Sequence, residues 1–542
     1  MGRIGGNFGV LYLGVAAGLY FKPEYAVYNS RIATIVILSL ILTVSKLIYQ
    51  LFLYPSFFTP IKHIPTPAKR HWLTGNTNSA FLETPYERLR EWARTMPNGG
   101  LIRYYIVANT ERVILTSPKA LSELLVTKVY DFEKPLMIRQ SLRRVVGDGI
   151  LLAEGDEHKL QRKNLMPAFS YRHIKDLYPV FWTKSVEMVN LIQQDIQSRD
   201  STGDNTIQVR NWASRATLDI IGVAGMDHDF DSLRDPGNTL HKSYERIFAS
   251  PNLATKILLV VGVLLRNVEL IQKLPTQRNK EIIEGGEVVR DVARQMVRLK
   301  KDKMEDPNAT TGVDIISVAM KSGTFDEENL VDQLMTFLGA GHETTATAMQ
   351  WAVYALCKNP EIQTRLREEI RTNLPSISID NPSIDATAID NLPYLHAVCN
   401  EVFRFHPSVP TTVRTANKDT TLAGTAIPKG TFILVAPDVL NRMENLWGPD
   451  ADKFNPDRFM DPGMANTGGA SSNYAFLTFL HGPRSCIGQG FAKAELACLL
   501  AATVGRFQME LKYPDKELKV RAGATVSPED GVLARFTPLE GW

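Results

Sequence analysis

Cysteine is scarce in this chain. Four stand among 542 residues, at positions 357, 399, 486 and 498. None has Cys-x-x-Cys spacing, so neither a zinc ribbon nor a disulfide framework is indicated, and a reducing compartment fits. Charge of one sign is missing too. The 61 Lys and Arg face 58 Asp and Glu, a formal net charge of +3 with no long run of either sign, which leaves nucleic acid without an electrostatic footprint and removes it as an implied partner. There is no internal repeat and no low-complexity tract, so repeat architectures drop out. Beyond residue 60 no apolar run reaches bilayer length.

What is present begins near the N-terminus. Ile32 to Val44 runs without a charge. Extended through Lys46, whose ammonium can snorkel, to about Leu53, it makes a helix of roughly 20 residues or ~30 Å, enough to span a bilayer. Pro55, Pro60, Pro65 and Pro67 follow and argue against a buried core helix. Lys62, His63, Lys69 and Arg70 come next, and the positive-inside tendency then leaves the large C-terminal portion on the cytosolic face. The shorter stretch from Phe8 to Phe21, with Arg3 ahead of it, reads as a second span, an interfacial segment or a signal-peptide core. Length alone allows two to four domains, although large helical enzymes often pack as one unit.

The remainder alternates long helical patterns with a few strands. Leu101–Val107 and Arg112–Leu115 flank Ala108-Asn109-Thr110-Glu111 and read as a hairpin, and Thr420–Leu422 with Ala426–Val435 around Pro428-Lys429-Gly430 reads likewise. Loops are expected at 302–312, 376–393 and 461–473, the last carrying Gly468-Gly469-Ala470-Ser471-Ser472. The expected class is mainly α with a minor β region.

Cys486 stands in Phe479-Leu480-His481-Gly482-Pro483-Arg484-Ser485-Cys486-Ile487-Gly488, followed by a helical pattern from about Phe491. A thiol at a helix N-terminus meets free N–H groups and the positive end of the helix dipole, which favour the thiolate. Glycines on both sides admit a flat group close to the backbone. A lone cysteine is more often a core residue, as Cys498 is expected to be, but Phe479, Gly482, Arg484, Cys486 and Gly488 together match Phe-x-x-Gly-x-Arg-x-Cys-x-Gly. This segment closely resembles the haem-binding signature of the cytochrome P450 family, and the likeness runs from about residue 61 to the end. It implies the fold of that family behind an N-terminal transmembrane helix: residues 1–60 as membrane anchor and hinge, 61–542 as haem-thiolate catalytic domain. Cys486 would be the axial ligand to the iron of haem b.

Val331 to Leu356 reads as one long apolar helix, in which Gly339 and Gly341 cost about 1 kcal/mol each relative to Ala, so something is expected to pass close to the backbone. Its stretch Ala340-Gly341-His342-Glu343-Thr344-Thr345 is similar to the family's oxygen-activation motif. The resemblance implies that Thr344 hydrogen-bonds the dioxygen being activated and that Glu343 is the acid relaying protons from solvent. The alternatives are a Thr344 hydroxyl bonded back to the Ala340 carbonyl and an exposed Glu343. A zinc-protease reading fails because Ala346 stands where the second His is needed.

Glu401 and Arg404 share a helix face, and the flanking Val398, Val402, Phe403, Phe405 and Pro407 suggest burial, where a third partner is wanted. The likeness supplies Arg458 of Phe454-Asn455-Pro456-Asp457-Arg458-Phe459, making Glu401, Arg404 and Arg458 a structural triad, with Asp457 in place of the more usual Glu. Haem propionates want arginine forks. The resemblance assigns that task to Arg484, Arg414 and Arg162, with His158 where Trp is common; a solvated His158 is the alternative.

By the same likeness the substrate pocket is lined by the loop from Phe132 to Ile150, by Phe337, Ala340 and Gly341, by Ser408–Thr412, and by the turn at Ala524-Thr525-Val526. These are mostly apolar or small, with Arg139, Arg143 and Arg144 as exceptions, which favours a lipophilic small molecule. The expected activity is monooxygenation with O2. No flavin- or nicotinamide-binding portion is left over, so electrons are expected from NADPH–cytochrome P450 reductase, with cytochrome b5 as an optional second donor. The anchor and hinge resemble those of fungal microsomal members, hence an endoplasmic-reticulum membrane and secondary metabolism. The rivals are a haem-thiolate isomerase or dehydratase acting on a peroxide, and a non-enzymatic haem-binding sensor.

Overall fold

The computed structural model describes residue 14 and residues 30–542 apart from 73, 77–85, 200–202, 250, 265–267, 307–313, 378–383 and 524. The expectations for residues 8–21, and for Ala524, lie outside the described residues, Gly14 excepted.

Helix α1, Arg31–Ile48, is capped by the Ser30 hydroxyl, which accepts from the Ala33 N–H at 3.2 Å. It runs past the expected end near Leu53: Tyr49–Phe58 continues it with wider π-type turns that carry Pro55 inside and close with the Thr59 N–H on the Tyr54 carbonyl at 2.9 Å. Such turns tolerate a residue with no N–H to give. Ile32–Phe58 is long and apolar enough to cross a membrane, with mean hydropathy 2.2. Its far end is not a free hinge. The Asn109 amide donates to the Leu51 carbonyl at 2.7 Å and the Tyr105 hydroxyl to that of Pro55 at 2.9 Å. Ile61 and Ile64 of the following segment are buried.

Those contacts come from the first hairpin, β1 (Leu101–Ile106) and β2 (Thr110–Leu115), paired antiparallel as expected. Its turn uses left-handed backbone at Ala108 and Asn109, φ 60° and 49°. Next come β3 (Phe132–Glu133), α2 (Leu136–Val146), α3 (Gly155–Leu165), α4 (Tyr178–Ser198), α5 (Val209–Met226), α6 (Thr239–Ile247), α7 (Gln277–Glu305) and α8 (Glu327–Lys358). After them stand α9 (Pro393–Phe405), β4 (Thr412–Ala416), β5 (Phe432–Val435), α10 (Gln489–Arg506), β6 (Val520–Ala522) and β7 (Val526–Pro528). The main sheet has the order β1-β2-β5-β4-β3, with β2 and β5 parallel through Val113↔Ile433 and the other pairs antiparallel.

Four expectations are corrected. Much of the segment 132–150 is the helix α2 rather than a loop. The second strand region is not a single hairpin: Thr420–Leu422 pairs with Thr425–Ile427, then Gly430, at φ 84°, turns the chain so that Ile433 and Val435 bury in the main sheet. Helix α7 extends through Glu305 into the expected loop. The 376–393 region carries a helical turn, Ala386–Asp390, capped by Asp385.

Helix α8 threads the middle of the molecule. The Asp326 carboxylate accepts from the Asn329 N–H at 2.8 Å, Glu327 and Glu328 complement the dipole in the first turn, and Pro360 follows its end. It packs against α5, α2, α7, α9 and α10. Within α10 the run Leu496–Ala502 is wholly buried, Cys498 included as expected.

Candidate active site

The cysteine segment is a loop pinned on both flanks. The Cys486 N–H donates to the Phe479 carbonyl at 2.8 Å, and the Phe479 ring packs edge-on against Phe403 of α9 with centroids 5.0 Å apart. Gly482 sits at φ +74°, where a Cβ would fall 2.1 Å from the Leu125 carbonyl oxygen, so only glycine fits. Gly488 ends the loop as the residue before α10. Cys486 is accessible, yet the protein packed around it pushes its pKa up, against the Gly488 N–H and Arg162, which pull it down. The Gly488 N–H at the helix start and Arg162 favour the thiolate, and a bound cation would favour it further.

Phe169 links the loop to α8. The rings of Phe337 on α8 and Phe169 lie 5.6 Å apart, and Phe169 in turn reaches the Cβ position of Gly488 at 3.9 Å. Ala340 is exposed where the middle of the helix is otherwise buried or half-buried, and Thr344, one turn on, shares its face. The Thr344 hydroxyl donates to the Ala340 carbonyl at 2.8 Å, while the Thr344 carbonyl accepts from the Ser408 hydroxyl at 2.9 Å. What passes close to the two glycines is side-chain carbon: Val146 lies 3.2 Å from the Cβ position of Gly339, and Ile221 lies 3.0 Å from that of Gly341. Glu343 is buried rather than exposed. Burial pushes its carboxyl pKa up, opposed by Arg210, Arg521 and the Thr525 hydroxyl.

Cations converge on one side of this space. Arg484 and Arg414 are buried, and the Arg484 guanidinium meets the Glu154 carboxylate, while its Nε is buried without a hydrogen-bond partner. Burial and Arg484 lower Arg414 to about 10. Lys134 is driven down to about 7 by burial and by Arg414, Arg484 and Arg139, with Glu154 opposing. His158 falls to about 4 through burial, Arg484, Lys134, Arg162 and Arg414; it is buried, not solvated, and its Nδ1 lies 3.3 Å from the Tyr130 hydroxyl. Arg162 turns toward the cysteine loop, giving its fork to the Ser485 carbonyl at 2.6 Å and hydroxyl at 3.1 Å.

Glu401, Arg404 and Arg458 meet. Arg404 binds both Glu401 oxygens, at 2.6 and 2.7 Å, and donates to the carbonyls of Asn441, Ala451 and Lys453. Arg458 adds a contact of 3.3 Å to Glu401, whose Oε1 also accepts from the Asn455 N–H at 2.7 Å. Among the pocket residues, Phe132 is wholly buried in the sheet, Val409 is 36% exposed, and Arg143 pairs with Asp148 at 2.7 Å near the surface.

A family model described as Cytochrome P450 matches residues 65–533. The chain belongs to the cytochrome P450 family. It is 64% identical to the cytochrome P450 monooxygenase sphH of Aspergillus fumigatus over the full length of both chains. It is 41% identical to the cytochrome P450 monooxygenase FUM15 of Gibberella moniliformis over 92% of this chain and 91% of that one. With FSL4 of Gibberella zeae, also named a cytochrome P450 monooxygenase, it shares 40% identity over 91% of each. The chain is therefore an oxidoreductase of the monooxygenase type. The P450 cofactor is a haem-thiolate iron, and members of the family take a small-molecule substrate and a partner reductase.

The residues present fit that cofactor. Buried cations set against Glu154, with a lysine held near neutrality and an arginine Nε lacking a partner, form a cluster short of negative charge, which two propionates would balance. Lys134 and Glu154 escaped the sequence reading. They stand twenty residues apart in no common motif, and only their meeting in space identifies them.

Proposed function

We propose that the protein is a membrane-anchored monooxygenase that oxidises a lipophilic small molecule with O2 and NADPH-derived electrons delivered by a separate cytochrome P450 reductase. The observation that carries this reading is the Cys486 loop, linked to α8 through Phe169 and set beside the buried cations Arg414 and Arg484. Haem b, when bound, supplies the activation of dioxygen and the insertion of one oxygen atom into the substrate. Cys486 would hold its iron. Arg414 and Arg484, with Lys134, would hold its propionates; Arg162 would brace the ligand loop through Ser485. Phe479, Gly482 and Gly488 would shape the loop. His158 would serve as a neutral donor or acceptor near the propionates. Glu401, Arg404 and Arg458 would hold the fold beneath.

Thr344 and Glu343 would hold and pass protons. The Thr344 hydroxyl can leave the Ala340 carbonyl and donate elsewhere without moving the backbone, and Glu343, raised by burial, keeps a proton to give. Residues 1–60 would be the anchor and 61–542 the catalytic domain, in the endoplasmic-reticulum membrane on its cytosolic side. The exposed apolar face of α1 and the cationic residues after it support this placement. Secondary metabolism is the setting, with cytochrome b5 an optional electron donor.

Incubating the protein with a reductase, NADPH and a panel of lipophilic metabolites tests the activity: a product carrying one oxygen from O2 is expected. Turnover of a peroxide without NADPH would favour an isomerase instead. Thr344→Ala should keep the fold and consume NADPH, but release more hydrogen peroxide and less product; an unchanged ratio of product to NADPH would contradict the proton role.

A further inference from the structure

A buried acid is useful as a proton donor only if its carboxyl is held in place and kept able to ionise. Glu343 has both conditions met from one direction. The Arg521 guanidinium donates to its Oε1 at 3.4 Å and the Thr525 hydroxyl to the same oxygen at 3.4 Å. Arg521 lies on β6 and Thr525 in the turn to β7, so the two hands on Glu343 belong to a single hairpin near the C-terminus. Arg521 is itself buried and braced by the Ser527 hydroxyl at 3.3 Å.

That hairpin is fixed to α8 at a second place. The Trp351 indole donates to the Val526 carbonyl at 2.8 Å, and the Val526 N–H donates to the Ser408 carbonyl at 2.9 Å. Ser408 in turn donates from its hydroxyl to the Thr344 carbonyl. Neighbouring residues of α8, the acid and the threonine, are thus tied to the same two-stranded unit, one through its side chain and the other through its backbone. The other charged groups facing Glu343 are Arg210 of α5, which favours its ionised form, and Glu245 of α6, which opposes it.

From this geometry we infer that Arg521 is a positioning residue that, with Thr525, holds the Glu343 carboxyl, and that the β6–β7 hairpin sets when the proton of Glu343 is available to Thr344. The inference rests on the proton role proposed above. Arg521 acts through Glu343. Removing its charge strengthens the grip of Glu343 on the proton, because an opposite charge in contact lowers a carboxyl pKa by about 1–3 pH units.

The test uses full-length, haem-loaded ferric protein. The carboxyl stretching band of Glu343 is followed by difference infrared spectroscopy against pH and assigned by its loss in Glu343→Gln. Arg521→Gln should move the titration midpoint up by about one pH unit or more, Arg521→Lys should move it less, and the pH profile of product formed per NADPH should follow. Thr525→Val, which removes a hydroxyl at little change in volume, should shift the midpoint in the same direction and decides the matter if Arg521→Gln fails to retain haem. A midpoint unchanged in the folded variants would overturn the inference. The two readings separate through Glu343→Gln. Lost coupling in that variant beside an unshifted Arg521→Gln midpoint defeats Arg521 alone. A shifted midpoint beside a fully coupled Glu343→Gln keeps Arg521 as the holder of Glu343 and defeats the proton role.

Discussion

A carboxyl buried among apolar atoms favours its neutral form, and the cost of ionising it is charged to the folded state. Glu495, wholly buried on α10 beside Thr345, is raised well above the usual range by burial. The folded protein therefore binds a proton here that the unfolded chain releases above about pH 4.5. The stability tied to this proton is intact below that pH and declines as pH rises toward the folded value. Glu495→Gln, neutral at every pH, should be more stable than the native protein near pH 7, with the advantage vanishing near pH 4. Urea midpoints of both proteins measured across that range check it. A loss in the variant that grows as pH rises would mean that Glu495 is ionised and paired in the fold.

At the level of elements, buried charge ties helix to loop. Arg404 joins α9 to the segment 441–458 through Glu401 and three backbone carbonyls. Arg404→Ala would leave Glu401 with only Arg458 and the Asn455 N–H, at a cost on the order of 3–5 kcal/mol, so little folded holoprotein should accumulate; full haem content with only a raised KM would assign the triad to substrate. The anchor contrasts with this. Deleting residues 1–48 should move the protein from membrane to soluble fraction with haem kept. Deleting through Phe58 should lower the thermal midpoint further, since the bonds of Asn109 to Leu51 and Tyr105 to Pro55 are lost at about 1 kcal/mol each. Equal midpoints for the two truncations would show that Tyr49–Phe58 contributes nothing to the catalytic portion. The elements themselves were unequally legible. Helix α8 and the β1–β2 hairpin follow from periodicity and turn residues. Helix α2, rich in arginine and flanked by Pro135 and Gly147, reads as a loop because tertiary contacts hold it, and β4 goes unread as a strand because its partner β5 lies about twenty residues on.

Over the whole molecule, the site is assembled from two contiguous motifs and several groups that only folding brings together. Phe479 to Gly488 and Ala340 to Thr345 could be recognised from neighbours in the chain. Lys134, Glu154 and Arg521 could not, since their partners are 20 to 350 residues away and charge alone marks 119 positions in the chain. The motif identified the Cys486 thiol, but the hold of Arg162 on its neighbour Ser485 required the packing around it. The account stands on that sulfur as the iron ligand. Its most direct test is the spectrum of the reduced carbon monoxide complex. The native protein and Cys498→Ala should both show the red-shifted Soret band of thiolate ligation, and Cys486→Ala should lack it; the band persisting in Cys486→Ala would contradict the account.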